Sequence, residues 1–491
     1  MYNLMIGDGM RTKAPSDKAY RRYQSTRRRF WDSMAGKEDT SAASQYHRRL
    51  EVVYGHLIAS GSRVIELGCG DGDLLASLQP SLGVGVDFSP VVLDLARSRH
   101  PGLQFIEADV HELAIDQTFD VVIISDLAND VWDVQTLLDV VSGLCRPETR
   151  VIFNLFNKVW QLPIGIARRL GFAQPMLKQN WLSIADMHNL LRVSGFEVIA
   201  TSGEILWPFP TPLIGGFFNR FLVKLWPFHH LALTTMMVAR PDPYRTNESA
   251  STDLSVSVVV PARNEAGHIE EILERVPDMG SRTELVFVEG NSTDNTLEVI
   301  REVVTARDDP NIRYYQQPGK GKGDAVRFGY AKATGDVLMI LDADMTVAPE
   351  DLPRFFDAIS SGTGEFINGV RLVYPMEDQA MQFLNLVGNK LFGLTFSWLL
   401  GQPVKDTLCG TKVLTRESYD KIAANREYFG EFDPFGDFDL LFGAAKLNLK
   451  IVDIPIRYRQ RRYGSTNIDR WRHGVVLLRM AAFAARKLRF I

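Results

Sequence analysis

The chain has 491 residues, 45% of them hydrophobic and 23% charged, with a formal net charge of −4. That length exceeds one ordinary domain, so two or three are expected, each able to bury its own core. No uncharged apolar run reaches the roughly 18 residues of a membrane span, and no apolar leader opens the chain. Cys69, Cys145 and Cys409 are too widely spaced for a metal knot or a disulfide framework, which fits a reducing cytoplasm. Nucleic acid is not expected as a partner, because no aromatic-basic module accompanies the charge.

Residues 1–45 are polar and basic, with Arg27, Arg28 and Arg29 in a row, and read as a flexible arm. Residues 46–240 alternate strand-like and helical patterns. The strand-like runs are RVIEL (63–67), GVGVD (83–87), LQFIE (103–107), FDVVIIS (119–125), RVIFNLF (150–156), FEVIA (196–200) and LTTMMVA (233–239). Helical segments between the early ones predict a mostly parallel α/β sheet. Residues 241–254 are rich in Pro, Ser and Thr without apolar periodicity and form the linker. A second βα series, SVSVVV, TELVFVE, IRYYQQ and DVLMILD, opens a domain over 255–491. From Arg457 to the end, ten Lys and Arg face one acid, Asp469. Around 468–489 the cations alternate with Trp471, Val475, Leu478 and Phe483, the pattern of a helix lying in a membrane interface; the 383–401 segment is a second candidate.

In VIELGCGDG (64–72) an apolar strand runs through Glu66 into alternating glycines. Glycines there let the backbone turn sharply and approach a ligand. The helix that follows can turn its N-terminal amides toward an anionic group. The next strand ends in Asp87, placed to accept from both ribose hydroxyls of a nucleoside. The third is followed by Asp109, in reach of an adenine amino group. This ordered set resembles the class I S-adenosylmethionine-dependent methyltransferases. An NAD-binding Rossmann domain is the competing reading, but GxGxG after an acidic strand end suits it less well than GxGxxG would. The resemblance implies a Rossmann-like sheet and gives donor-binding roles to Glu66, Gly68, Gly70, Asp87 and Asp109. On the acceptor side stand Asp126, Asn129, His111 and the Asn154-Leu155-Phe156 strand end. The aromatic segment 206–228 reads as an acceptor lid, a membrane contact or ordinary core.

In the second half, VVVPARNE (258–265) passes from a strand into a turn, and LVFVE ends in Glu289. GKGKGDAVRFG (319–329) is a cationic Gly-rich loop opening a helix, suited to phosphate. LMILDADM ends in Asp342-Ala343-Asp344. Two carboxylates one residue apart at a strand end can share Mg²⁺ or Mn²⁺, and such a cation offsets charge on a departing diphosphate.

This ordered set is similar to inverting family 2 glycosyltransferases of the GT-A fold, and NGVRL, LNLVGNKLFG, DTLCGTK, FGDFDLL and RRYGSTN bring it closer to the dolichol/polyprenyl-phosphate mannosyltransferase-like branch. The resemblance implies a GDP- or UDP-sugar donor held by Pro261, Arg263, Glu265, Glu289, Lys322, Asp324 and Asp342, with Asp342 and Asp344 on the metal. It places Arg371, Lys390 and Arg461 on phosphates of donor or acceptor. Two departures stand out: Glu289-Gly290 at the first acidic pair, and Thr466-Asn467 where the family often has Ser-Lys. A polyprenyl phosphate acceptor is already anionic and needs positioning cations; a glycan hydroxyl needs a base. Asp437, Asp439 and Asp406 are the carboxylates available for that, with Asp344 on the metal side. The expectation is a bifunctional enzyme, glycosylating and methylating glycolipid or polysaccharide precursors at the cytoplasmic face of a membrane. The alternative keeps the glycosyltransferase and makes the N-terminal domain a non-catalytic binding module.

Overall fold

The structure is a computed structural model; it describes residues 18–37, 41–170, 176–209, 211–243, 253–371, 383–426, 438–457 and 470–491. The chain divides into two compact units, 1–246 with 490–491, and 247–489. Most of the expected linker lies outside the described residues, as do Asp437, Arg461, Thr466 and Asn467.

The first unit is built on a seven-stranded sheet: β1 (Arg63–Leu67), β2 (Leu82–Asp87), β3 (Gln104–Glu107), β4 (Phe119–Ile124), β5 (Cys145–Phe156), β6 (Phe196–Glu204) and β7 (Thr234–Pro241). Their order is β3-β2-β1-β4-β5-β7-β6, and the first five are parallel while β7 runs antiparallel to both β5 and β6. All seven expected strands are present. The apolar character of β1, β2, β4, β5 and β7 follows from burial on both faces, whereas the edge strands β3 and β6 are only partly covered. Side chains alternate across the sheet, so Ile65, Leu67, Val122 and Phe153 enter one core while Val64, Val121, Ile123 and Ile152 enter another. Helix starts are marked by the sequence: Ser89 accepts from the Val92 amide ahead of Pro90, and Ser183 forms a reciprocal capping box with Asp186.

One expectation fails here. Residues 18–34 are not a flexible arm but the helix Lys18–Met34, and Ser41–Leu57 is a second helix that the expected boundary at residue 46 would cut. The reason is tertiary. Tyr20 is buried, and Arg27 pairs with Asp130 at 3.1 Å with both side chains nearly covered.

The second unit has seven strands: β8 (Val256–Ala262), β9 (Thr283–Glu289), β10 (Ile312–Gln316), β11 (Val337–Ile340), β12 (Phe366–Val370), β13 (Lys412–Thr415) and β14 (Ile451–Pro455). The order is β10-β9-β8-β11-β13-β12-β14, with β13 antiparallel to its two neighbours. β12 runs into the NGVRL motif, whose Asn368, Gly369 and Val370 are strand residues that build the sheet, and β14 pairs with it in parallel. Val259, Leu338 and Ile340 fill one face; Val258, Val260, Val337 and Met339 fill the other.

In both sheets the order reverses beside the first strand of the unit, between β1 and β4 and between β8 and β11. Ligands in such sheets bind outside the carboxyl ends of strands at that reversal.

Candidate functional site

In the first unit, Glu66, Asp87 and Asp109 stand at or just past the ends of β1, β2 and β3. Gly68, Gly70 and Gly72 all have positive φ, between 54° and 79°, where side chains strain the backbone. A Cβ at Gly68 would strike Leu127 at 2.9 Å, whereas one at Gly70 would meet nothing within 4 Å. Open space beside a left-handed glycine leaves room for a ligand. Glu66 is buried, and its Oε2 has no hydrogen-bond partner. Burial, reinforced by Asp71, pushes this carboxyl well above the usual range. A buried carboxylate oxygen with nothing to accept from is the arrangement a cationic or N–H-bearing ligand would satisfy. Asp87 receives the Gly70 amide at 3.2 Å and the Ser89 amide at 2.9 Å, which ties the glycine loop to β2.

Asp109 differs from its expected state. One carboxylate oxygen accepts from Tyr20 Oη at 2.8 Å and Gln24 Nε2 at 2.7 Å; the other is paired with the backbone amide and Nδ1 of His111, both at 2.9 Å. Burial would raise its pKa, but His111 and Tyr20 outweigh it and hold the carboxyl down at about 2. An adenine contact at Asp109 therefore has to share an occupied group. Tyr20 and Gln24 were not singled out, because the segment carrying them is dominated by arginine and polar residues; the recurrence Tyr20, Tyr23, Arg27 was the available signal.

At the ends of β4 and β5 lies a second polar cluster. Asp126 accepts from Tyr46 Oη and from Asn154 Nδ2, both at 2.6 Å. Tyr54 Oη donates to Asn154 Oδ1 at 2.8 Å. Burial raises the Asp126 carboxyl above its ordinary value, against the hydrogen bond from Tyr46. The two tyrosines, both on Ser41–Leu57, were not anticipated. Asn129 instead braces backbone, donating to Asn180 O and accepting from the Phe156 amide. His111 is similarly committed, its Nε2 accepting from the Asp133 amide at 3.2 Å.

In the second unit, Pro261 and Arg263 flank the end of β8, Glu289 ends β9, and Asp342 and Asp344 follow β11. The loops are clasped together: Asn264 Oδ1 accepts from the Thr293 amide at 2.8 Å, and the Asn264 amide donates to Ser292 Oγ at 3.0 Å. Glu289 is buried; one oxygen takes the Ser292 amide at 2.6 Å and the other has no partner. Lys322, at the start of the helix Lys322–Lys332, pairs with Asp342 at 2.7 Å. A Cβ at Gly410 would collide with both members of that pair, so the DTLCG loop sits directly against it. Asp344 accepts from the amide and hydroxyl of Thr346. Burial, with the charge of Asp342 beside it, raises the Asp344 carboxyl. Two carboxylates held in that proximity make an all-oxygen donor set of the kind hard divalent cations take.

Other expected residues are placed differently. Glu265 is buried against His268 at 3.0 Å and braces the turn from below. Asp324 caps its own loop by accepting the Gly319 amide at 3.0 Å. Asp406 is fully buried and grips Arg371 through two side-chain hydrogen bonds, 2.7 and 2.9 Å. That pairing makes Asp406 a holder of Arg371, poorly placed to be a base. Asp439 is likewise buried and accepts from Arg426 Nε at 3.0 Å. Lys390 is exposed on Phe383–Leu400.

Residues 257–423 match the family model described as glycosyl transferase family 2, and residues 58–193 match that of a methyltransferase domain. Glycosyltransferase AglJ of Haloferax volcanii is 30% identical over 225 residues, covering 45% of this chain and 69% of AglJ. The dolichyl-phosphate hexose transferase of the same organism is 30% identical over 227 residues, covering 45% of this chain and 90% of the relative. The chain belongs to glycosyl transferase family 2. Its N-terminal unit adds a methyltransferase domain, so two transferase domains share one polypeptide. Among solved structures, magnesium protoporphyrin IX methyltransferase from Synechocystis PCC 6803 is 17% identical, covers 46% of this chain and 98% of its own, and has a TM-score of 0.32, too low to carry an argument.

Proposed function

We infer that the glycosyltransferase domain moves a sugar from a nucleotide-sugar to a polyprenyl phosphate with inversion, and that the methyltransferase domain methylates a related precursor using S-adenosylmethionine. The observation that carries the first half is the Asp342, Asp344 and Lys322 cluster at the sheet reversal, together with Glu289 at the end of β9, one of whose buried oxygens has no partner. Glu289 is suited to accept from the N–H groups of a nucleobase. Asp342 and Asp344 would hold Mg²⁺ or Mn²⁺, which supplies Lewis-acid stabilisation of the leaving diphosphate. Lys322 stands next to that position and adds positive charge. Arg371, oriented by Asp406, is the described cation best fixed to receive an anionic acceptor. Such an acceptor needs no base, which agrees with the burial of Asp406 and Asp439 in ion pairs. The named relative that acts on dolichyl phosphate supports the acceptor class.

In the methyltransferase domain, Glu66, Gly68, Gly70 and Asp87 fit the donor: the loop has room, and Glu66 offers a free acceptor. S-adenosylmethionine supplies an electrophilic methyl group when bound. Asp126, with its raised pKa and its hydrogen bonds from Tyr46 and Asn154, is placed to take a proton from an acceptor hydroxyl or amine. We place the boundary between independently folding domains within 241–254.

Attachment at the cytoplasmic face of a membrane is part of the same reading. The helix Arg470–Ala484 buries Leu477 and Met480 and leaves Val475 and Leu478 exposed. Among the described residues no helix is long and apolar enough to cross a membrane. The test of the function is release of nucleoside diphosphate from GDP- and UDP-sugars with Mn²⁺ and a polyprenyl phosphate. Transfer to a free glycan but not to the lipid phosphate would reject the acceptor. Calorimetry with S-adenosylmethionine tests the other half; absence of binding would leave the N-terminal domain as a docking module.

A further inference from the structure

The methyltransferase unit carries a surface that its own core does not explain. Along the helix Gln161–Arg169 and its ends, Val159, Leu162, Ile166 and Leu170 recur at helical spacing and all face outward. Trp160 and Ile164 take the inward face against the core. A helix normally turns its apolar stripe inward; this one presents a second stripe to solvent, with Leu162 78% exposed. The helix Ile214–Arg220 repeats the arrangement, Leu213 and Phe217 pointing out one turn apart, with Leu213 92% exposed. Trp226 follows at 78%. The two segments are joined. Trp160 Nε1 donates to Leu231 O at 2.8 Å, and Asn157 Nδ2 donates to His230 O at 2.9 Å.

Charge identifies what this surface faces. Residues 149–185 and 205–241 contain no Asp or Glu at all, and Arg169 and Arg220 are exposed among the apolar side chains; Lys158 is exposed too, with Asp186, the acid that ends the first stretch, as its electrostatic neighbour. A protein partner of ordinary composition would not require two acid-free stretches of that length. Apolar and aromatic side chains that enter the acyl boundary, ringed by cations that meet headgroup phosphates, are what an anionic bilayer demands. Contiguous apolar exposure of this kind is rare on a soluble surface without a binding role.

We propose that the methyltransferase unit seats on an anionic lipid bilayer through the 159–170 and 213–231 segments, independently of the C-terminal helix. The surface lies beside the carboxyl end of β5, the end that carries Asn154 and borders Asp126. Seating there brings the methyl-transfer site to an acceptor anchored in the same membrane, a consequence that rests on the methyltransferase reading; the seating itself does not.

The experiment uses the full chain with vesicles of phosphatidylglycerol and phosphatidylcholine in equal parts. Co-sedimentation is measured in a V475E/L478E background, which removes the large exposed apolar residues described on Arg470–Ala484. Binding is expected to persist in that background. Adding Leu162→Glu and Trp226→Glu, both on side chains that contribute little to the core, should lower the partition coefficient at least about tenfold, with circular dichroism unchanged. Vesicles of phosphatidylcholine alone should bind more weakly, and added salt should weaken binding to the anionic ones. No binding in the background, or binding indifferent to the added substitutions, would overturn the proposal. Sedimentation velocity gives the remaining outcome. If the added substitutions convert a dimer to a monomer while vesicle binding is unchanged, the surface is a contact between copies of this chain and the bilayer assignment is wrong.

Discussion

Substituting Asp406 separates a structural clamp from a catalytic base. Its carboxylate receives Arg371 Nε at 2.7 Å and the second guanidinium nitrogen at 2.9 Å, and also the backbone amides of Arg371 and Leu408 at 3.1 Å each. Burial alone would raise its pKa; the Arg371 guanidinium outweighs that and holds it below the usual range. Asp406→Asn keeps the shape but removes the charge opposite a nearly buried arginine. Breaking a buried pair by neutralising one partner costs ~3–5 kcal/mol. Each charge-assisted hydrogen bond is worth ~1.5–3 kcal/mol, so two of them give the same scale. Equilibrium urea unfolding followed by tryptophan fluorescence should show the loss in the transition of the glycosyltransferase domain, with the methyltransferase transition unmoved. Arg371→Gln alone and the double substitution complete a cycle, with an expected coupling of at least ~1.5 kcal/mol. The reasoning fails if Asp406→Asn unfolds at the wild-type midpoint while transfer to a sugar hydroxyl is abolished. That pattern would make Asp406 a base, whatever its contacts.

Asp87→Ala should weaken S-adenosylmethionine binding by ~1.5–3 kcal/mol, one to two decades by calorimetry, without altering sugar-nucleotide turnover. Asp344→Asn should cut glycosyl transfer by several kcal/mol of transition-state stabilisation while leaving the unfolding midpoint nearly unchanged, and excess chelator should abolish wild-type turnover; full activity in chelator would reject the metal role. Asp109 has a folded pKa of about 2, against ~3.9 for an unperturbed aspartate, so its ionised form adds ~2.6 kcal/mol that is fully present above the unfolded value and is lost as pH falls toward the folded one. Tyr20→Phe removes one of its donors and should move that loss to higher pH; an unchanged acid-unfolding curve would show that Tyr20 does not hold the carboxylate.

What the sequence determined by itself was everything local. Seven apolar strand patterns in the first half matched seven strands, and the acidic residues that VIELGCGDG and LMILDADM place at strand ends stand beside the two reversals of strand order, which only the folded sheets reveal. A buried parallel strand must be nearly continuous in apolar residues, and the turn that leaves it must supply glycines or acids where a ligand approaches. Both requirements are met within about ten consecutive residues. The tertiary structure decided which of those groups are already spoken for. Tyr20 reaches Asp109 across 89 positions, Arg371 meets Asp406 across 35, and Tyr46 meets Asp126 across 80. Strand order brings these partners together, and no short-range period encodes it. For the same reason the basic N-terminal segment read as a loose arm: its many arginines mask the aromatic residues Tyr23, Phe30 and Trp31 spaced around Arg27, and the burial of Arg27 is set by Asp130, a hundred residues further along the chain. The outward apolar stripe on Gln161–Arg169 was equally illegible. Periodicity shows that a helix has an apolar face, but only the packing of Trp160 and Ile164 shows that the core has already taken the other one.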